Sequence, residues 1–146
     1  MLVISSKFHK CSKFYAWYLI TGFELEPVSA SQSSTHGNGT AANCIDSEIN
    51  SFGTLVPGDA RSICHTKWDA TPWLAIDYGT SVTIHRVEIF NRQDCCGERT
   101  RNVDVRISNE LPTSGSQMFS GGTLLGHFAG PGTDGQHIII SGQTQL

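Results

Sequence analysis

The sequence has few of the features that would place it in several common classes. Its longest apolar run, Phe14 to Phe23, is about ten residues, where a helix crossing a bilayer needs roughly twenty. Charge is scarce at 16% and sums to −3, so there is no basic excess of the kind a nucleic-acid binder carries. No Cys-x-x-Cys occurs, which removes the usual structural zinc spacing. No window holds apolar residues at helical spacing, no EF-hand loop is present, and no segment repeats.

What is present points to strands and turns. The 146 residues suffice for one hydrophobic core, and 15 glycines with 5 prolines indicate many chain reversals. Trp73 to Gly79 reads as a short buried-type strand. Val82, Ile84, Val87 and Ile89 form period-two pairs with a phase change at His85-Arg86 that predicts a bulge. Val103, Val105 and Ile107 alternate with polar residues as a half-buried strand does. Leu124 to Phe128 and His137 to Ile140 add two more, with Gly130-Pro131-Gly132 between them. Short strands separated by turn signals predict an all-β sandwich or barrel.

Five cysteines, Cys11, Cys44, Cys64, Cys95 and Cys96, favour a secreted protein with disulfides. The sequon Asn38-Gly39-Thr40 is consistent with that compartment. Residues 1–23 differ from the rest, with Lys7, Lys10 and Lys13 ahead of the apolar run. They are read as a leader or non-domain segment of signal-peptide type, with the domain itself spanning 24–146. Asn43 to Ser51 clusters oxygen donors, which alone reads as a polar turn.

The chemistry concentrates in Asn91-Arg92-Gln93-Asp94-Cys95-Cys96-Gly97-Glu98-Arg99. Joined, the two adjacent cysteines would close a small stiff ring around one peptide bond, which offers an apolar sulfur surface rather than a staple. Five of the six arginines lie in residues 86–106. A guanidinium presents a planar fork of donors and cannot lose its proton. Against a neutral polyol such donors make charge-assisted hydrogen bonds worth roughly 1.5–3 kcal/mol each. Asp94 is near enough in sequence to lock one arginine in place, which lowers the ordering cost of binding.

His65, Arg92, Asp94 and Arg99, in the pattern His-x26-Arg-x-Asp-x4-Arg with Cys95-Cys96 inside it, resemble the F-type lectins, or fucolectins. The resemblance runs from about Pro27 to Leu146 and includes Ser29 to Ser34, Pro72-Trp73, Ile76-Asp77 and Gly79. It implies a jelly-roll β-sandwich related to the discoidin and coagulation factor C-type domains, and no enzymatic activity. It implies hydrogen bonds from His65, Arg92 and Arg99 to L-fucose, a vicinal Cys95–Cys96 disulfide packed on the sugar's apolar edge, and an orienting role for Asp94. Phe52, Leu55 or Trp68 are the candidates for housing the fucose methyl group. A structural calcium ion is implied, with ligands at Asn43, Asp46, Glu48 and Ser62, although Glu48 stands where the family commonly has asparagine.

Domains of that family end with a strand carrying a cysteine and acidic residues, and this sequence stops before one. A sandwich lacking its C-terminal strand is therefore expected, and a Cys44–Cys64 bridge is the expectation for the cysteine left over. The implied partners are fucosylated glycans or glycoproteins, with oligomers or tandem domains raising avidity, in roles such as innate immunity. Neither nucleic acid nor a membrane span is implied. Two other readings stay open: a discoidin-like adhesion or lipid-binding module, and the carbohydrate-binding module of a larger glycosidase. A redox dithiol enzyme is disfavoured because no activated-cysteine setting is visible.

Overall fold

The computed structural model describes residues 1–6, 11–17, 26–46, 63–112 and 119–144. Nine strands are present among them: β1 (Leu2–Ser6), β2 (Cys11–Trp17), β3 (Ser29–Gln32), β4 (Cys64–His65), β5 (Trp73–Asp77), β6 (Ile84–Asn91), β7 (Val103–Ile107), β8 (Thr123–Phe128) and β9 (His137–Thr144). The two helical turns described, η1 (Ala41–Cys44) and η2 (Gly97–Arg99), are both short 3₁₀ segments.

The strands form two antiparallel sheets, ordered β3-β5-β1-β7-β8 and β4-β2-β6-β9. Leu2, Ile4, Leu74, Ile76, Val103, Val105, Ile107 and Leu125 of the first sheet share one buried cluster with Cys64, Ile84, Val87, Ile89, Ile138 and Ile140 of the second. This is the two-layer solution for sheets with one apolar face each. The alternation read in Val103–Ile107 appears as strictly alternating burial. The phase change at His85-Arg86 is a register shift in the β6–β9 pairing between Ile84 and Arg86. That shift lets Ile84, Val87 and Ile89 all point inward although they do not keep one parity.

The beginning of the chain differs from expectation. The sequence sets residues 1–23 apart from the domain, yet β1 lies in the middle of the five-stranded sheet, paired with β5 on one side and β7 on the other. Leu2, Val3 and Ile4 are fully buried. β2 similarly pairs with both β4 and β6. A strand buried on both faces reads as a short continuous apolar run, and so does the apolar part of a leader, so periodicity does not separate the two. With β1 in this slot the five described strands form one continuous sheet.

Candidate functional site

Asn91 ends β6 at one end of the sandwich, and its side chain organises the two loops around it. It is 1% exposed. Its Nδ2 donates to the carbonyls of Gly97 and Thr133, both at 2.9 Å. Its Oδ1 accepts from the Thr100 hydroxyl at 2.7 Å and from the Arg92 amide at 3.1 Å. A buried amide with these four bonds leaves little desolvation cost uncompensated. It ties the β6–β7 loop, residues 92–102, to the β8–β9 loop, residues 129–136.

Further bonds seal the same joint. The Gly97 amide donates to Asp134 Oδ1 at 2.6 Å, the Gly135 amide to the Arg92 carbonyl at 2.7 Å, and the Gly132 amide to the Thr100 carbonyl at 2.9 Å. A Cβ on Gly97 would stand 2.3 Å from the Thr133 carbonyl carbon, so only glycine allows the two backbones this close.

On that platform stand the charged and sulfur groups. Arg92 donates from Nε to Asp94 Oδ1 and, at 2.6 Å, from Nη2 to Oδ2, a two-point fork. The Arg92 hydrogen bond is the main reason the Asp94 carboxyl is held below its ordinary value. Cys95 and Cys96 are joined as a disulfide with their Cα atoms 3.7 Å apart. Cys96 adopts a left-handed φ of 67° and leads directly into η2, which carries Arg99. Arg92, Cys95, Cys96 and Arg99 are all half-buried, so each is held by the fold and reachable from solvent.

His65 reaches this end from the edge of the four-stranded sheet. Ser12 of β2 pairs with Cys64 on one side and Asn91 on the other, while Cys11 pairs with His65. Cys64 and Asn91 therefore lie level across β2, two strand spacings or roughly 10 Å apart, and His65 and Arg92 are the residues that follow them. The His65 backbone is also fixed by the 36–39 turn: its amide donates to the Gly39 carbonyl at 2.9 Å, and its carbonyl accepts from the His36 amide at 2.8 Å. A Cβ on Gly39 would lie 2.6 Å from His65 Cβ. Three residues further on, Trp68 lies under the Arg99 guanidinium, which is 5.9 Å from the ring centroid. That contact joins the His65 segment to the Arg99 segment.

Several residues of the site carry little signal in the sequence. Asn91 is only the first residue of the charged and sulfur-rich stretch there, and Asp134 receives no reading. His36, to which the sequence assigns no role, has its ring 4.7 Å from that of His65. Thr133-Asp134-Gly135 carries a local turn signal, but its partner lies 37 residues away.

Of the four residues implied as calcium ligands, Glu48 and Ser62 lie outside the described residues, as do Phe52 and Leu55. Asn43 sits in η1, where its Nδ2 donates to the carbonyls of Asn38 at 2.9 Å and Ile63 at 3.1 Å. Its Oδ1 accepts from the Thr40 hydroxyl at 3.0 Å. Asp46 follows at the surface. These are hard oxygen donors of the type calcium takes, though the described residues bring together no group of three acidic, histidine or cysteine side chains able to hold a metal. Cys44 is joined to Cys64, Cα to Cα 5.4 Å, which fastens this segment to the strand that carries His65.

Comparisons with known proteins bear on this arrangement. The family model described as NedA-like, galactose-binding domain matches residues 43–125. The pentraxin fusion protein of Xenopus laevis is 35% identical over 85 residues, 58% of this chain and 19% of that protein. A fucolectin of Anguilla anguilla is 36% identical over 78 residues, 53% of this chain and 46% of that protein. Fucolectin-1 of Anguilla japonica is 41% identical over 54 residues, 37% of this chain and 30% of that protein. The matched stretch is thus less than half the length of each of these relatives. No solved structure matches the chain significantly.

Proposed function

The chain belongs to the F5/F8 type C family of NedA-like, galactose-binding domains, and from that premise we propose that it is a non-catalytic lectin domain that takes terminal L-fucose on glycans or glycoproteins. The observation that carries the reading is the Arg92 fork clamped by Asp94 beside the Cys95–Cys96 ring. Asp94 fixes the guanidinium before any ligand arrives, so its donor directions need no ordering on binding. The disulfide ring next to it supplies an apolar, stiff surface. A deoxy sugar matches that pair of surfaces, because it has hydroxyl groups on one part and a methyl group on another. The names of the Anguilla relatives support fucose in particular.

In this reading His65, Arg92 and Arg99 hydrogen-bond the sugar hydroxyls, Cys95 and Cys96 pack on its apolar edge, and Asp94 orients Arg92. Calcium, held by Asn43, Asp46, Glu48 and Ser62, would brace the loop beside the Cys44–Cys64 bridge. Two disulfides fit a secreted protein, and no helix among the described residues is long and apolar enough to cross a membrane. A single site of this kind binds on the order of millimolar to micromolar, so oligomers or tandem domains supply useful avidity.

Titration of the protein with L-fucose and D-galactose, with Arg99→Ala alongside, tests the reading. Saturable binding of fucose, weaker binding of galactose, and loss of about tenfold or more in Arg99→Ala are expected. Preference for galactose, or indifference to the substitution, overturns it.

A further inference from the structure

Trp68 is 81% exposed, which is unusual for the largest apolar side chain and calls for a reason beyond packing. It stands where the His65 and Arg99 segments meet, with Arg99 over its ring. Its loop is pinned by a latch that the sequence does not signal. Asp69 Oδ2 accepts from the Ser33 hydroxyl at 2.6 Å and from the Ser34 hydroxyl at 2.5 Å. Ser34 Oγ in turn accepts from the Lys67 amide at 2.8 Å, and the Asp69 amide donates to the Lys67 carbonyl at 2.9 Å. Both neighbours of Trp68 are therefore held, and the indole is presented to solvent from a fixed backbone.

We infer that Trp68 is a stacking platform for the second saccharide of the bound glycan, the residue to which the terminal fucose is linked. This inference rests on the lectin reading above. A pyranose ring carries its C–H bonds in apolar patches that match the negative face of an indole, and the Arg99 cation held against that ring helps fix its orientation. Because Trp68 is exposed rather than enclosed, it meets what extends outward from the terminal sugar. The platform selects glycans by their penultimate residue, and the Asp69 latch lowers the ordering cost of that contact.

Calorimetric titration with methyl α-L-fucoside and with fucose linked to lactose decides the point, read as the affinity ratio of oligosaccharide to monosaccharide. The wild-type ratio is expected to be about fivefold or more, to fall to near one in Trp68→Ala, and to survive largely in Trp68→Tyr. Saturation-transfer NMR is expected to mark the penultimate sugar's C–H hydrogens in the wild type and not in Trp68→Ala. Since the side chain is at the surface, both variants should melt with the wild type. A ratio unchanged in Trp68→Ala, or near one in the wild type, overturns the platform while fucoside binding leaves the lectin reading standing. Failure of the wild type to bind either sugar removes both.

Discussion

Asp94 and Asn91 are close in sequence and serve the site in opposite ways. Asp94 acts at the surface, where a charge pair contributes little to stability. Asp94→Asn should therefore leave the melting temperature nearly unchanged and weaken the proposed sugar binding about five- to tenfold, because the Arg92 fork loses its clamp. Calorimetry and a thermal melt on one sample separate the two effects. The Asp94 carboxyl is held below its ordinary value of 3.8 chiefly by the Arg92 hydrogen bond. A depressed folded-state value means the pair's contribution is complete above the unfolded value and is lost as pH falls through the folded one. An NMR titration of the Asp94 carboxyl carbon should thus have its midpoint below 3.8, with Arg92→Ala moving it upward.

Asn91 is buried, and its loss is a stability event. Asn91→Ala would remove the bond that Thr100 Oγ1 donates to this side chain and those that the Gly97 and Thr133 carbonyls accept from it. The expected cost is about 2–4 kcal/mol by denaturant unfolding. The proposed sugar binding should fall as well, since both loops of the candidate site are tied through that side chain.

At the scale of elements, the β6–β7 loop is fixed in shape by its backbone conformation together with its neighbours. Cys96 takes a left-handed φ, Gly97 touches the 133–134 backbone, and η2 begins there. Gly97→Ala has no room for its methyl group against a backbone carbonyl. It should abolish sugar binding, measured by the same titration, while the far end of the sandwich keeps its amide protection in hydrogen exchange. The Cys44–Cys64 bridge spans a sequence separation of 20. On the chain-entropy account it stabilises by about 3 kcal/mol, so the paired Cys44→Ser, Cys64→Ser variant should lose that amount in denaturant unfolding.

For the whole molecule the decisive element is β1. It is the only described link between the β3-β5 and β7-β8 halves of the first sheet. Ile4 is fully buried in the shared core, and Ile4→Ala should cost about 2–5 kcal/mol. A version of the protein starting at residue 26 should fail to give a cooperative thermal transition. A leader segment would be removed without that effect, so the circular-dichroism melt of the shortened chain separates the two roles.

The all-β class and the concentration of charged and sulfur groups in residues 91–99 were legible in the linear sequence. Alternating apolar residues, turn signals, adjacent cysteines and a clustered set of arginines act through neighbours a few residues away, so a linear reading captures them. The bulge at His85-Arg86 is legible for the same reason. That Leu2–Ser6 is a central strand emerges only from its pairing in three dimensions, because a buried strand and a leader present the same short apolar run. Only the fold brought Asp134 under Gly97, His36 beside His65 and Arg99 over Trp68. Those contacts are set by strand register and loop docking across many residues, and no local pattern of residue types encodes them.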